Sequence, residues 1–155
     1  MQAEQEMMET RIQYPSRVVS WDEYLSALRG AGGYSQTQGA MCKIDGDGNK
    51  YFCPLGILND LAGASWEIHG NNDEACDDNG ETHLPDPALL ETLGLNQMAT
   101  DEELKGTAYG ASLKYMYEGK AERYTVIAYL NDYLGLKFNA IADELERLGW
   151  NETGR

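Results

Sequence analysis

Cys53 stands where a strand-like segment, Lys50-Tyr51-Phe52, runs into a helix that Pro54 is suited to begin. A thiol at a helix N-terminus faces the positive end of the dipole and unpaired N–H groups, which lowers its pKa and supplies donors for an oxyanion. A papain-like hydrolase on this chain would use His69 or His83 as base and Asn131 or Asp132 to orient it. The opposing reading is structural: cysteine behaves as a small, frequently buried hydrophobe, and a strand-to-helix junction is normally core.

Three further groupings carry ligand-type side chains. His69, Cys76 and His83, with Asp73 and Asp77 nearby, are residue types that bind zinc, but six residues separate each from the next. Structural zinc sites usually begin with two ligands about two to four residues apart, so the spacing argues for loop residues. Asp45-Gly46-Asp47-Gly48-Asn49 begins like a calcium loop, yet Lys50 occupies the position needing glycine and Gly56 the position needing the bidentate glutamate. A hairpin turn is the better account, and no cofactor is expected. Asn59-Asp60 and Asn131-Asp132 each end an apolar stripe with an amide and an acid, suited either to a shared polar pocket or to capping nearby backbone.

The 155 residues that must position these groups are enough for one domain. They hold 26 acids against 12 Lys and Arg, a formal charge of −14, and 42% hydrophobic residues, which describes a folded acidic globule. Such acidity argues against nucleic-acid binding by phosphate neutralisation. No apolar run approaches the roughly 18 residues of a membrane span, and the first residues lack a signal peptide's pattern, so no membrane association and a cytosolic location are expected. Three irregularly spaced cysteines are expected as free thiols.

The charge is segregated. Tyr51 to Leu104 contains no Lys or Arg but twelve acids, which account for twelve of the fourteen excess negative charges. Shared on one face, such carboxylates steer a basic partner. Asp73, Glu74, Asp77, Asp78, Glu81, Asp101, Glu102 and Glu103 are the expected docking residues.

Local patterns predict an α+β fold, mostly helical, with a small β-hairpin or sheet after residue 40 and a C-terminal αα-hairpin. Ser20-Trp21-Asp22-Glu23 and Thr100-Asp101-Glu102-Glu103 are capping boxes, and Asp86-Pro87 opens a short helix. Gly106 and Gly110 weaken the helix after Thr100, and Tyr109 to Tyr117 suits a strand equally. Tyr124 to Leu134 and Phe138 to Leu148 have helical apolar spacing, broken at Gly135. The pair resembles a helix-turn-helix, but Asp143, Glu144 and Glu146 would repel phosphates, so it reads as a packing motif. Residues 1–15 are expected as an arm, 16–150 as the domain with an acidic loop at 67–83, and 151–155 as a flexible tail.

Trp21 to Leu28, Tyr34-Ser35-Gln36 with Gly39, the box Tyr51 to Leu61, Leu84-Pro85, and Leu130-Asn131-Asp132 to Ile141-Ala142-Asp143 together resemble a family of small bacteriophage and prophage proteins. That family carries a "YCCLGVLCDL"-type box and an "LND-x-G-x-SF-x-EIA" tail. The chain departs from it at Phe52-Cys53-Pro54-Leu55 and at Asn59, where paired cysteines would stand. The resemblance implies a phage accessory protein working in the cytoplasm of an infected bacterial host. Joined to the charge pattern, it gives the leading expectation: a counter-defence or host-takeover inhibitor that docks an acidic surface onto a basic bacterial protein. The alternatives are the Cys53 hydrolase and a sponge for a nucleotide signal. The sponge would stack a base on Tyr or Trp and hold phosphates with bases such as Arg11, Arg17, Arg29, Lys43, Lys50 or Arg123. Tyr115, Tyr117, Tyr124, Tyr129 and Tyr133 cluster in sequence as a candidate aromatic face. Oligomeric state is not legible from these patterns.

Overall fold

A computed structural model describes residues 14–68, 73–105 and 121–153. Helix α1 (Trp21–Leu28) starts at the expected box: Ser20 Oγ accepts from Glu23 N while Glu23 Oε1 accepts from Ser20 N. Its inner stripe is Trp21, Tyr24, Leu25 and Leu28. The two aromatic polar atoms find carbonyls, Trp21 Nε1–H donating to Leu93 O at 3.1 Å and Tyr24 O–H to Pro54 O at 2.8 Å. Burying them thus leaves no donor unpaired.

The expected hairpin forms from β1 (Cys42–Ile44) and β2 (Lys50–Phe52). It leads into α2 (Pro54–Leu61), with Cys53 as N-cap and Pro54 at the first turn. The hairpin is half of a larger sheet. Strands β3 (Glu67–Ile68) and β4 (Glu74–Cys76) complete an antiparallel order β2-β1-β4-β3. Phe52, Cys42 and Ala75 are register partners across β2, β1 and β4, and all are buried; the alternate row, Tyr51, Lys43 and Glu74, faces away from that layer. The acidic segment expected as a loop at 67–83 therefore contributes two strands, and Ala75 anchors it to the core.

Helix α3 (Pro87–Thr92) has Asp86 as N-cap, its side chain accepting from Ala88 N. Strands β5 (Met98–Ala99) and β6 (Ala121–Glu122) pair antiparallel around α4 (Asp101–Leu104), which begins at the Thr100 and Glu103 capping box and stops after one turn. Helices α5 (Arg123–Asp132) and α6 (Phe138–Leu148) make the αα-hairpin, with Ile127, Leu130, Ile141, Ala142 and Leu145 fully enclosed. The tail expected at 151–155 begins as helix α7 (Trp150–Thr153), and Trp150 is wholly buried. The fold is thus α+β, as the sequence predicts. Most of the N-terminal arm, the 109–117 segment, Gly106, Gly110, His69, Tyr115 and Tyr117 lie outside the described residues.

Candidate functional site

Helix α2 and the sheet together place most of the chemistry-bearing side chains. Cys53 N–H donates to Met41 O at 3.1 Å, which ties the helix start to β1. The thiol is only 7% exposed, and burial pushes its pKa up to about 12, outweighing the neighbouring backbone N–H groups that favour the thiolate. Asp132 beside it pushes the same way. Cys53 is therefore protonated at neutral pH, and the helix N-terminus does not activate it. His83 is exposed, with Nδ1 2.6 Å from Thr82 Oγ1 and Nε2 3.8 Å from Glu74 Oε1. Among the described residues no hydrogen bond joins Cys53 to His83, and His69 lies outside them. The hydrolase reading is thus left without an activated nucleophile. Among the described residues no group of three or more His, Cys, Asp and Glu side chains forms that could hold a metal; His69, a member of the expected set, lies outside those residues.

The two Asn-Asp pairs take different roles. Asp60 accepts from Tyr34 Oη at 2.6 Å and from Trp66 Nε1 at 3.1 Å, holding the edge-to-face row Tyr34, Phe52 and Trp66. Asn131 is buried at the end of α5. Its Nδ2 donates to Thr37 O and Asp132 Oδ1, while its Oδ1 accepts from Gln36 Nε2 at 2.6 Å. Gln36 also donates to Leu136 O and accepts from Phe138 N, Gln38 donates to Asn131 O, and Gly39 N–H donates to Asp132 Oδ1. These bonds clamp residues 36–39 onto the turn of the αα-hairpin. Asp132 acts there as a backbone acceptor, not as half of a carboxylate pair with Asp60.

Two expected docking carboxylates are structural. Asp77 is 5% exposed; its Oδ1 accepts from Asn79 N and Glu81 N, and its Oδ2 from Asn59 Nδ2 at 2.8 Å. The turn repeats one made by Asp45, whose Oδ1 accepts from Asp47 N and Asn49 N. Both have the form Asp-x-x-Gly-x, and Gly48 and Gly80 take φ of +84° and +78°, a region that favours glycine. The shared spacing was available in the sequence as a signal for a turn-forming Asp77. Glu103 is the second case. Its Oε2 accepts from Arg123 Nη2 at 2.8 Å and from Trp150 Nε1, and Arg123 lies 5.1 Å from the Trp150 ring centroid. Both side chains are withdrawn from solvent, so Glu103 neutralises an internal guanidinium.

Of the other expected docking residues, Asp73, Asp78, Glu81, Asp101 and Glu102 are exposed and Glu74 is half-buried. Asp78 accepts from Ser65 N, and Glu102 pairs with Lys105. Glu67, on the edge strand, joins the exposed set.

Burial also raises the pKa of Asp77. An aspartate with a raised folded-state pKa contributes its full stability below the unfolded value and loses that contribution as pH rises through the folded value. Asp77→Asn should therefore gain stability relative to the unsubstituted protein as pH rises from about 4 to 7. Urea unfolding at several pH values measures this difference, and a gap independent of pH would contradict the assignment.

Comparison of the chain with protein-family models, with curated proteins and with solved structures gave no significant match. Among the described residues no helix is long and apolar enough to cross a membrane.

Proposed function

We propose that the protein acts by binding, docking its acidic face onto a basic surface of a bacterial protein, as a phage counter-defence or host-takeover inhibitor would. One observation supports this reading above the rest. Glu67, Asp73, Asp78 and Glu81 are exposed on β3, on β4's approach and on the turn that follows, within a segment that has no Lys or Arg from Tyr51 to Leu104. Ile68 on the edge strand and Leu84 beyond the turn are exposed apolar side chains in the same stretch of chain, Ile68 on the sheet face of its register partner Ala75 and Glu67 on the other. Exposed carboxylates with a few exposed apolar groups near them in the chain suit a basic partner, with the charges governing encounter and the apolar groups residence. The burial of Cys53 and the raised pKa of its thiol weigh against catalysis there.

The test is capture of partners from a bacterial lysate by the intact chain and by a variant carrying Glu67→Gln, Asp73→Asn and Glu81→Gln. None of these three side chains forms a hydrogen bond or ion pair among the described residues, so the variant should fold. A single basic protein retained by the intact chain, released between about 50 mM and 1 M salt and lost from the variant, is the expected result. Retention indifferent to salt and to the three substitutions would sink the acidic-docking reading.

A further inference from the structure

A polar cleft of about 360 Å³ lies between the 36–38 loop, β1 and the αα-hairpin turn, lined by Gln36, Thr37, Gln38, Lys43, Gly135 and Lys137. Its size falls within the usual range for small-molecule sites, roughly 300 to 1,000 Å³. Its charge is the reverse of the protein's. Among the eight described Lys and Arg residues, Arg17, Arg29, Lys105, Arg123 and Arg147 are ion-paired, whereas Lys43, Lys50 and Lys137 are not. Two of those three line this one cleft. In a chain with more than twice as many acids as bases, cations left unneutralised and brought together need an account.

Local structure explains how they are held. Lys43 is the middle residue of β1, turned to the face opposite buried Cys42, and its cross-strand neighbour Glu74 lies 3.8 Å from His83 with no ion pair to Lys43. Lys137 is the N-cap of α6, where Gln36 Oε1 rather than its own side chain accepts from the first helical N–H, of Phe138, so its ammonium group is left without a local acceptor among the described residues. The walls are already fixed, because Gln36 and Gln38 are bonded to Asn131 and Leu136, and a Cβ at position 135 would lie 3.5 Å from Gln38 Nε2. A ligand therefore meets a preorganised surface.

We infer that this cleft binds a small phosphate monoester whose remaining part is a polyhydroxylated group, such as a sugar phosphate. Two ammonium groups match a dianion, whereas a planar carboxylate would call for arginine's fork. Gln38 and the Thr37 hydroxyl supply polar partners for hydroxyl groups, and the lining holds no aromatic ring on which a base would stack. The net charge of −14 opposes any anion at long range, but at physiological ionic strength charges beyond about 8 Å are largely screened while contacts inside the cleft are not.

Calorimetric titration of the intact protein with inorganic phosphate, glucose phosphate, adenosine monophosphate and glucose tests this. Glucose phosphate should bind at least about tenfold more tightly than inorganic phosphate and than adenosine monophosphate, glucose should not bind, and Lys43→Gln with Lys137→Gln should weaken binding by roughly a hundredfold. Neither lysine makes a side-chain hydrogen bond or ion pair among the described residues, so the variant should keep its melting temperature. Amide shifts at Gln38 and Gly135 on adding glucose phosphate locate the site without any substitution. Failure of both phosphates to bind, shifts elsewhere, or full binding by the double variant would overturn the site. Equal affinity for free phosphate and glucose phosphate, or tighter binding of adenosine monophosphate, would overturn the sugar class.

Discussion

Alanine in place of Gly56 should destabilise the protein by about 3 kcal/mol or more. Gly56 sits inside α2, where alanine's better helix propensity alone would stabilise by about 1 kcal/mol. Packing reverses that sign. A Cβ at this position would lie 1.9 Å from Met41 O and 2.6 Å from Met41 C, a clash with main chain that no side-chain rotation can relieve. The same carbonyl accepts from Cys53 N, so separating helix from strand also strains the bond that starts the helix. Both flanks are core, with Leu55, Ile57 and Leu58 buried, which leaves α2 nowhere to move without opening a void. Urea unfolding of Gly56→Ala gives the number directly, and a variant as stable as the original would show that the close approach of α2 to β1 is not as described.

The second large effect belongs to Glu103. Glu103→Ala should cost about 3 to 5 kcal/mol, the range for removing one partner of a buried ion pair. Arg123 and Glu103 have side-chain exposures of only 6% and 19%, and Arg123 Nε and Nη1 are already without acceptors among the described residues. Removing the carboxylate would strand the guanidinium and the indole N–H of Trp150 together. Glu103→Gln keeps an acceptor and should lose less. Glu102→Ala, one residue away, removes only an exposed contact to Lys105 and should change stability by no more than about 0.5 kcal/mol. Denaturant unfolding of the three variants should rank them in that order, and similar losses at 102 and 103 would contradict an internal role for Glu103.

Neighbouring residues of like charge thus divide between surface and interior, and that division marks how far the sequence could be read. The capping boxes at Ser20 and Thr100, the Asp86-Pro87 helix start and the hairpin after residue 40 were legible because each rests on interactions spanning a few residues. The same local pattern that revealed Glu103 as part of a cap concealed its partners, Arg123 and Trp150, which stand 20 and 47 residues away. Strands β3 and β4 were missed because one has two residues and the other is Glu-Ala-Cys, with no apolar alternation; Ala75 finds its place only by pairing with Cys42. Glu144 reads as a surface charge on α6, yet it is buried and bonded to Arg147. Lys43 and Lys137 gave no joint signal, since 94 positions separate them in the chain.

The clamp between residues 36–39 and the αα-hairpin turn sets a condition on the kinetics of the molecule. Its bonds join groups 93 to 102 positions apart, so each closes a long loop, and the entropy of that closure is lost before the bond can form. Pairings of that separation slow folding and tend to form after local hairpins and helices. The cleft they frame exists only once this long-range pairing has been made. A molecule held in it would leave the folding rate nearly unchanged and lengthen the lifetime of the folded state.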